Sequence, residues 1–248
     1  MNRSQQSKQP HSADPLYRKL SSALFAVCIV LAPLTLSLWF GVCPTGANDA
    51  GCPFSGEASA TAVAFRAAPP PLLQLFFVLT VVSAYIYPLS YIGLSRLAMN
   101  RSPWLASSGM TCGFVGSVVW SLFAGETFWV NSLAQLGFGT QFPRLKTAYL
   151  ANWGVVVMHG GWVIGHLLGY LLVGIALLRA RVIPRWAAWL IIVSAPVMGP
   201  LAYGTVLGLL QILGYLLVLI GSIPAAVATL KGRDRQEQRK DKSKNKNT

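Results

Sequence analysis

Residues 147–178, TAYLANWGVVVMHGGWVIGHLLGYLLVGIALL, contain no Asp, Glu, Lys or Arg. A helix needs roughly 18–20 apolar residues to cross the hydrocarbon core of a bilayer, and this run exceeds that length. Four more uncharged windows occur at 20–48, 67–95, 102–125 and 186–230. Over the whole 248-residue chain 11% of residues are charged and 54% are hydrophobic, whereas soluble domains carry roughly 25% charged residues. The composition excludes an ordinary soluble domain. The runs lack the alternation of barrel strands, and backbone groups in lipid must be paired within their own segment. The expected fold class is therefore all-α, a polytopic transmembrane helical bundle.

The window 186–230 is long enough for two crossings and is broken by Pro196, Gly199, Pro200 and Gly204. Six spans are expected, at about 20–42, 72–97, 104–124, 153–178, 186–201 and 205–230. They form a transmembrane domain over 20–230, preceded by a disordered tail at 1–19 and followed by a basic tail at 231–248. Trp39, Trp104, Trp153, Trp186 and Trp189 fall near predicted span ends, the level that amphipathic indoles prefer. Pro88, Pro196, Pro200 and Pro224 are expected to interrupt or kink their spans.

Lys and Arg fall unevenly between the segments. With the N-terminus inside, Arg3, Lys8, Arg18, Lys19, Arg96, Arg101, Arg179, Arg181, Arg185 and the basic residues from Lys231 onward are cytoplasmic, and only Arg66, Arg144 and Lys146 are outside. The positive-inside rule therefore places both termini in the cytoplasm. The net charge of +13 is explained by topology, and nucleic acid is not an expected partner. The first apolar run is longer than the roughly 7–15 residues of a signal-peptide core, which favours an uncleaved anchor. The tail KGRDRQEQRKDKSKNKNT has no apolar face and reads as solvated, within reach of anionic lipid.

Two long outer segments, 43–71 and 125–152, stand out against short inner connections. Phe128, Trp129, Leu133 and Leu136 in the second have roughly helical spacing, which predicts an interfacial helix lying flat on the outer surface. Cys43 and Cys52 in the first are candidates for a disulfide in an oxidising compartment, while Cys28 and Cys112 fall within spans as small core residues. A weak internal repeat relates YIGLSRLAMNRSPW around Gly93 and Pro103 to LVGIALLRARVIPRW around Gly174 and Pro184.

The fourth span carries the polar groups of interest. Asn152, His159 and His166 are spaced to line one stripe of a helix, continued by Tyr170. Polar groups in lipid are costly unless they face protein or water, so this stripe should point inward. At ~1.5 Å per residue His159 lies roughly 10 Å below the outer end of its span and His166 lies near the midplane. Two histidines that far apart along one helix do not share a metal, and haem lacks a second histidine-bearing span; no metal or cofactor is expected. Glu126 is the acidic residue near the outer span ends. Interhelical hydrogen bonding that fixes packing is the plain structural alternative to a ligand or proton site. Gly161, Gly165 and Gly169, with Gly109 and Gly113, form small-residue stripes suited to close helix approach.

Residues 162–196, WVIGHLLGYLLVGIALLRARVIPRWAAWLIIVSAP, resemble a broad group of uncharacterised bacterial multi-pass membrane proteins. In that group a Gly-His-x-x-Gly helix ends in an Arg-rich turn followed by Pro-Arg-Trp. The matching residues are Gly165, His166, Gly169, Arg179, Arg181, Pro184, Arg185 and Trp186. The resemblance implies a helical bundle in the bacterial cytoplasmic membrane and implies no activity.

Three functions fit these features. The first is a non-enzymatic carrier or binding protein for a small or lipid-like ligand, with His159, His166, Glu126, Asn152 and Tyr170 as contacts and Arg66 or Arg144 guarding entry. The second is a structural or accessory subunit docked to another membrane protein or to a second copy. The third is an intramembrane enzyme.

Overall fold

A computed structural model describes residues 15–45, 58–138, 141–202 and 208–244. Every element among them is helical: α1 (Pro15–Gly41), α2 (Ala58–Ala67), α3 (Pro70–Ala98), α4 (Pro103–Gln135), α5 (Phe142–Leu150), α6 (Trp153–Ala180), α7 (Arg185–Pro196) and α8 (Gly208–Lys244). Five helices are long and apolar enough to cross a membrane, over Lys19–Gly41, Pro70–Ala98, Pro103–Gln135, Trp153–Ala180 and Gly208–Lys231. Their outward faces agree with that length. On α8, Leu209, Leu213, Leu216, Ile220, Ile223 and Val227 form a continuous exposed apolar stripe, which water would penalise and lipid accepts.

The sixth expected span, 186–201, is shorter than the other five. The 12 residues of α7 run into a five-residue π-helical turn, Val197–Leu201. At ~1.5 Å per residue that is about 25 Å, somewhat less than the ~30 Å hydrocarbon core. Pro196 and Pro200 lack the N–H that an α register requires, and the widened turn leaves a carbonyl for another donor. The Gln211 side-chain amide takes it, donating from Nε2 to the Met198 oxygen at 2.8 Å. The expected junction near Gly204 lies outside the described residues. Pro88 and Pro224, expected to interrupt or kink their spans, do not interrupt them: both sit inside helices that continue through them.

Helix order along the bundle can be followed through side-chain pairs. α4 and α6 run antiparallel in the most extensive interface among the described residues. Gly109 meets Val173, Gly113 meets Gly169, Gly116 meets Gly165 and His166, and Trp120 stacks on Trp162. α7 lies antiparallel to α8, with Gly221 against the Ala187 carbonyl and Gly214 against Met198. Arg96 sits 4.4 Å over the Phe25 ring, and Arg101 donates to the Ala180 carbonyl at 2.7 Å. The α3–α4 and α6–α7 turns, the start of α1 and the Lys231 region of α8 therefore share one end, which holds most of the described basic residues. The two turns suggested by the internal repeat are thus neighbours, although α4 is far longer than α7.

The opposite end is capped by α2 and α5, which pack on each other, α2 also on α4 and α5 also on α6. Here the outer segments differ from expectation. The stretch around Phe128 and Trp129 is not a separate flat helix: α4 runs unbroken for 33 residues through Glu126 to Gln135. Phe128 stacks on Phe77 of α3 at 4.9 Å, and Trp129 faces Phe142 and Tyr149 of α5. Aromatic partners on two other helices hold this extension upright, which a surface-lying helix would not have. The first segment contains α2, fixed by buried Phe65 against Phe76. Cys43 is disulfide-bonded, and Cys28 and Cys112 are free; the expected pairing with Cys52 involves a residue outside the described set.

Trp39 is not an interfacial indole: it is 2% exposed, stacks on Phe76 and donates to the Thr80 hydroxyl at 2.7 Å. Trp104 and Trp153 are 86% and 78% exposed, as belt residues are. The basic segment after Lys231, expected to be a solvated tail, continues α8 to Lys244. Lys, Arg, Gln and Glu are good helix formers, and adding turns to an existing helix avoids the cost of nucleation. Residues 1–14 lie outside the described set.

Candidate functional site

The polar stripe of α6 divides into three different environments. Asn152 is the N-cap of α6: its exposed side chain accepts a hydrogen bond from the Gly154 N–H at 2.9 Å, the role Asn commonly fills at that position. It contacts no other element through that bond. Asn152→Ala should lower thermal stability by about 1 kcal/mol, and Asn152→Asp should restore most of it.

His159, nearly two turns into α6, meets Glu126 of α4. The imidazole Nε2 lies 3.6 Å from a Glu126 carboxylate oxygen, with the His159 side chain 25% exposed and that of Glu126 9% exposed. His159 Nδ1–H donates to the Val155 carbonyl at 2.9 Å, so Nε2 is the nitrogen that faces the acid. The pair can hold a proton on either partner. Phe123, one turn before Glu126, packs edge-on against the His159 ring at 4.5 Å and shields it on the inner side. The two Glu126 oxygens are buried and make no hydrogen bond among the described residues. A buried acid of this kind is costly to keep unless something with a donor reaches it.

Above Glu126 lies a small cavity of about 20 Å³, lined by Trp129, Val130, Phe142, Lys146, Tyr149 and Leu150 as well as the acid itself. That is room for about one water-sized group. α4 supplies the acid and one wall, and α5 supplies the lid. Arg66 of α2 and Arg144 of α5 are exposed on the cap helices. Glu126 and His159 are thus brought together, with Arg144 on the helix that roofs them.

His166 and Tyr170 are not part of that arrangement. His166 is fully buried near the middle of the bundle, stacked on Trp162 at 4.5 Å, with Nδ1–H donating to the Trp162 carbonyl at 2.7 Å. Tyr91 of α3 donates to the His166 carbonyl at 2.9 Å and lies against Tyr170, ring centroids 4.8 Å apart. Tyr87 and Tyr215 complete a buried polar cluster with Gln211 nearby in sequence on α8. This cluster joins α3, α6 and α8 by ring packing and the Tyr91 hydrogen bond, while His166 Nε2 and the Tyr170 and Tyr215 hydroxyls make no hydrogen bond among the described residues.

Of the residues singled out in the sequence, Glu126 and His159 are brought together and Arg144 is exposed on α5, while Trp129, Phe142, Lys146 and Tyr149, which line the cavity, were not among the candidates. The signal for Trp129 and Val130 was available: they lie three and four residues after Glu126, on the same helical face. Among the described residues no group of three His, Cys, Asp or Glu side chains could hold a metal ion. No family model matches the chain, and neither a curated protein nor a solved structure matches it.

Proposed function

We propose that this multi-pass membrane protein is a non-enzymatic carrier or binding protein for a small or lipid-like ligand, seated at Glu126 and His159 beneath the α5 lid. The observation that supports this most is the buried Glu126 carboxylate, which faces His159 at 3.6 Å, makes no hydrogen bond among the described residues and borders a cavity sized for one small polar group. An ammonium group fits such a site: it donates three hydrogen bonds, and the Trp129 and Tyr149 rings offer a cation–π surface. Lys146 lines the cavity and Arg144 is exposed on the same short helix, so α5 carries positive charge suited to an anionic group next to that ammonium. The half-exposed Trp129, Leu145 and Leu150 provide an apolar exit for a chain. A zwitterionic, amine-bearing amphiphile satisfies all of these features.

The reading also takes the chain as a six-span protein of a bacterial cytoplasmic membrane with both termini inside, the α7 and π-helical unit counting as the short fifth span. In that orientation the site opens to the outer face. The docking alternative loses one support, because Gly113, Gly165 and Gly169 are filled by helices of this same chain.

The test is a thermal-shift titration of the detergent-purified protein with lysophosphatidylethanolamine and lysophosphatidylcholine. The ethanolamine lipid should raise the melting temperature, and the choline lipid, whose three methyl groups overfill the cavity, should not. Glu126→Gln should abolish the shift, and His159→Gln should weaken it at least several-fold. Equal shifts with both lipids, or an undiminished shift in Glu126→Gln, would refute the site.

A further inference from the structure

We infer that the opposite end of the bundle carries a second binding site, for the phosphate of an anionic lipid head group, between the end of α6 and the start of α7. An open depression of about 440 Å³ is lined there by Leu178, Arg179, Arg181, Arg185 and Trp189. It lies at the other end from Glu126, and it stands or falls independently of the function proposed above.

Three arginines around one depression repel each other unless an anion joins them. Among the side chains that the structure describes, no carboxylate pairs with them. From Thr127 to Arg233 the sequence contains no Asp or Glu, and the His159–Glu126 pair lies at the far end. Nor are these arginines needed to neutralise the carbonyl end of α6. Arg101, from the α3–α4 turn, already does so through its hydrogen bond to Ala180.

Arg181 adds a conformational argument. It closes α6 in the left-handed region, at φ 52°, where Gly or Asn is the usual residue and a longer side chain is strained. Glycine would terminate the helix at lower cost but would bring no guanidinium to the depression. Guanidinium groups bind phosphate through paired, charge-assisted hydrogen bonds, and three of them can surround one phosphate.

The surroundings favour a lipid over free phosphate. Trp186, Trp189 and Val193 are exposed at helical spacing along α7, forming an apolar track that leads from the depression along the flank of the bundle. Indole rings commonly sit at head-group depth, and basic pockets between membrane helices bind anionic head groups. An acyl chain can follow the track while its phosphate meets the arginines.

The test uses the full-length protein, stripped of lipid in neutral detergent and titrated with dioleoylphosphatidylglycerol, dioleoylphosphatidylcholine and inorganic phosphate, with retained lipid counted by native mass spectrometry. Phosphatidylglycerol should bind at least about tenfold more tightly than phosphatidylcholine. The combined variant Arg179→Gln, Arg181→Asn and Arg185→Gln should lose that preference; Asn is chosen because it tolerates the left-handed cap. If this variant does not fold, Arg185→Gln alone should still weaken phosphatidylglycerol binding several-fold. The triple lysine variant keeps the charge that sets topology and should show an intermediate affinity. Unchanged selectivity in a folded glutamine variant overturns the site. Inorganic phosphate binding as tightly as the lipid overturns the assignment to a lipid head group.

Discussion

Replacing Gly169 with leucine should remove most of the folded protein, at a cost of about 3 kcal/mol or more, the upper part of the range for overpacking a filled core. A side chain at this position has nowhere to go. Its first carbon would stand 2.7 Å from the Gly113 backbone and 2.8 Å from the Tyr91 ring. Backbone cannot swing aside as a flexible side chain can, so α4 and α6 would have to separate along their whole contact. In lipid, helix association depends on close packing because the tails are as apolar as the helices, and this contact is therefore difficult to replace. Gly161, two turns earlier, supplies the control. Nothing lies within 4 Å of a carbon added there, so Gly161→Ala should be neutral or stabilising by up to about 1 kcal/mol. Denaturant unfolding of both variants in one detergent, followed by Trp fluorescence, checks the pair. Similar behaviour of the two would mean that α4 and α6 do not meet as described.

Tyr91→Ala should cost about 3–5 kcal/mol, the range for deleting a large buried aromatic. Tyr91 is the third body in the α4–α6 contact. Its ring fills the notch left by Gly113 and Gly169, lies against Tyr87 and Tyr170, and its hydroxyl donates to the His166 carbonyl. Tyr91→Phe keeps the ring and loses only the hydrogen bond, so it should cost about 1 kcal/mol. The difference between the two variants, measured by the same unfolding assay, separates packing from hydrogen bonding at this junction. Comparable losses would show that the hydroxyl, not the ring, secures the three helices.

The helical class and most span positions were legible because charge is excluded from long runs so strongly. α6, expected over 153–178, runs Trp153–Ala180. The same criterion failed at α4. Glu126 ended the uncharged window, so the expected span stopped at 124, yet one carboxylate facing another helix does not stop a helix. The misplaced end turned Phe128 and Trp129 into a separate surface helix and hid the wall of the site. Trp39 shows a second limit: position near a span end does not distinguish an interfacial indole from one whose N–H finds Thr80 across the bundle. The α6 stripe was read correctly as periodic but could not be divided. Spacing places Asn152, His159, His166 and Tyr170 on one face, while only the neighbouring helices determine that the first is a cap, the second meets an acid and the last two are packed inside.

The functional account depends on the cap end, with Glu126 and His159, facing outward and the basic end facing the cytoplasm. Single-cysteine accessibility tests this most directly, on a background in which free Cys28 and Cys112 are replaced by Ala. Cysteine at Arg144 in α5 should react with a membrane-impermeant maleimide applied to intact cells. Cysteine at Ser102, in the α3–α4 turn, should react only after permeabilisation. The reverse pattern, or labelling of both positions from the same side, would contradict the account.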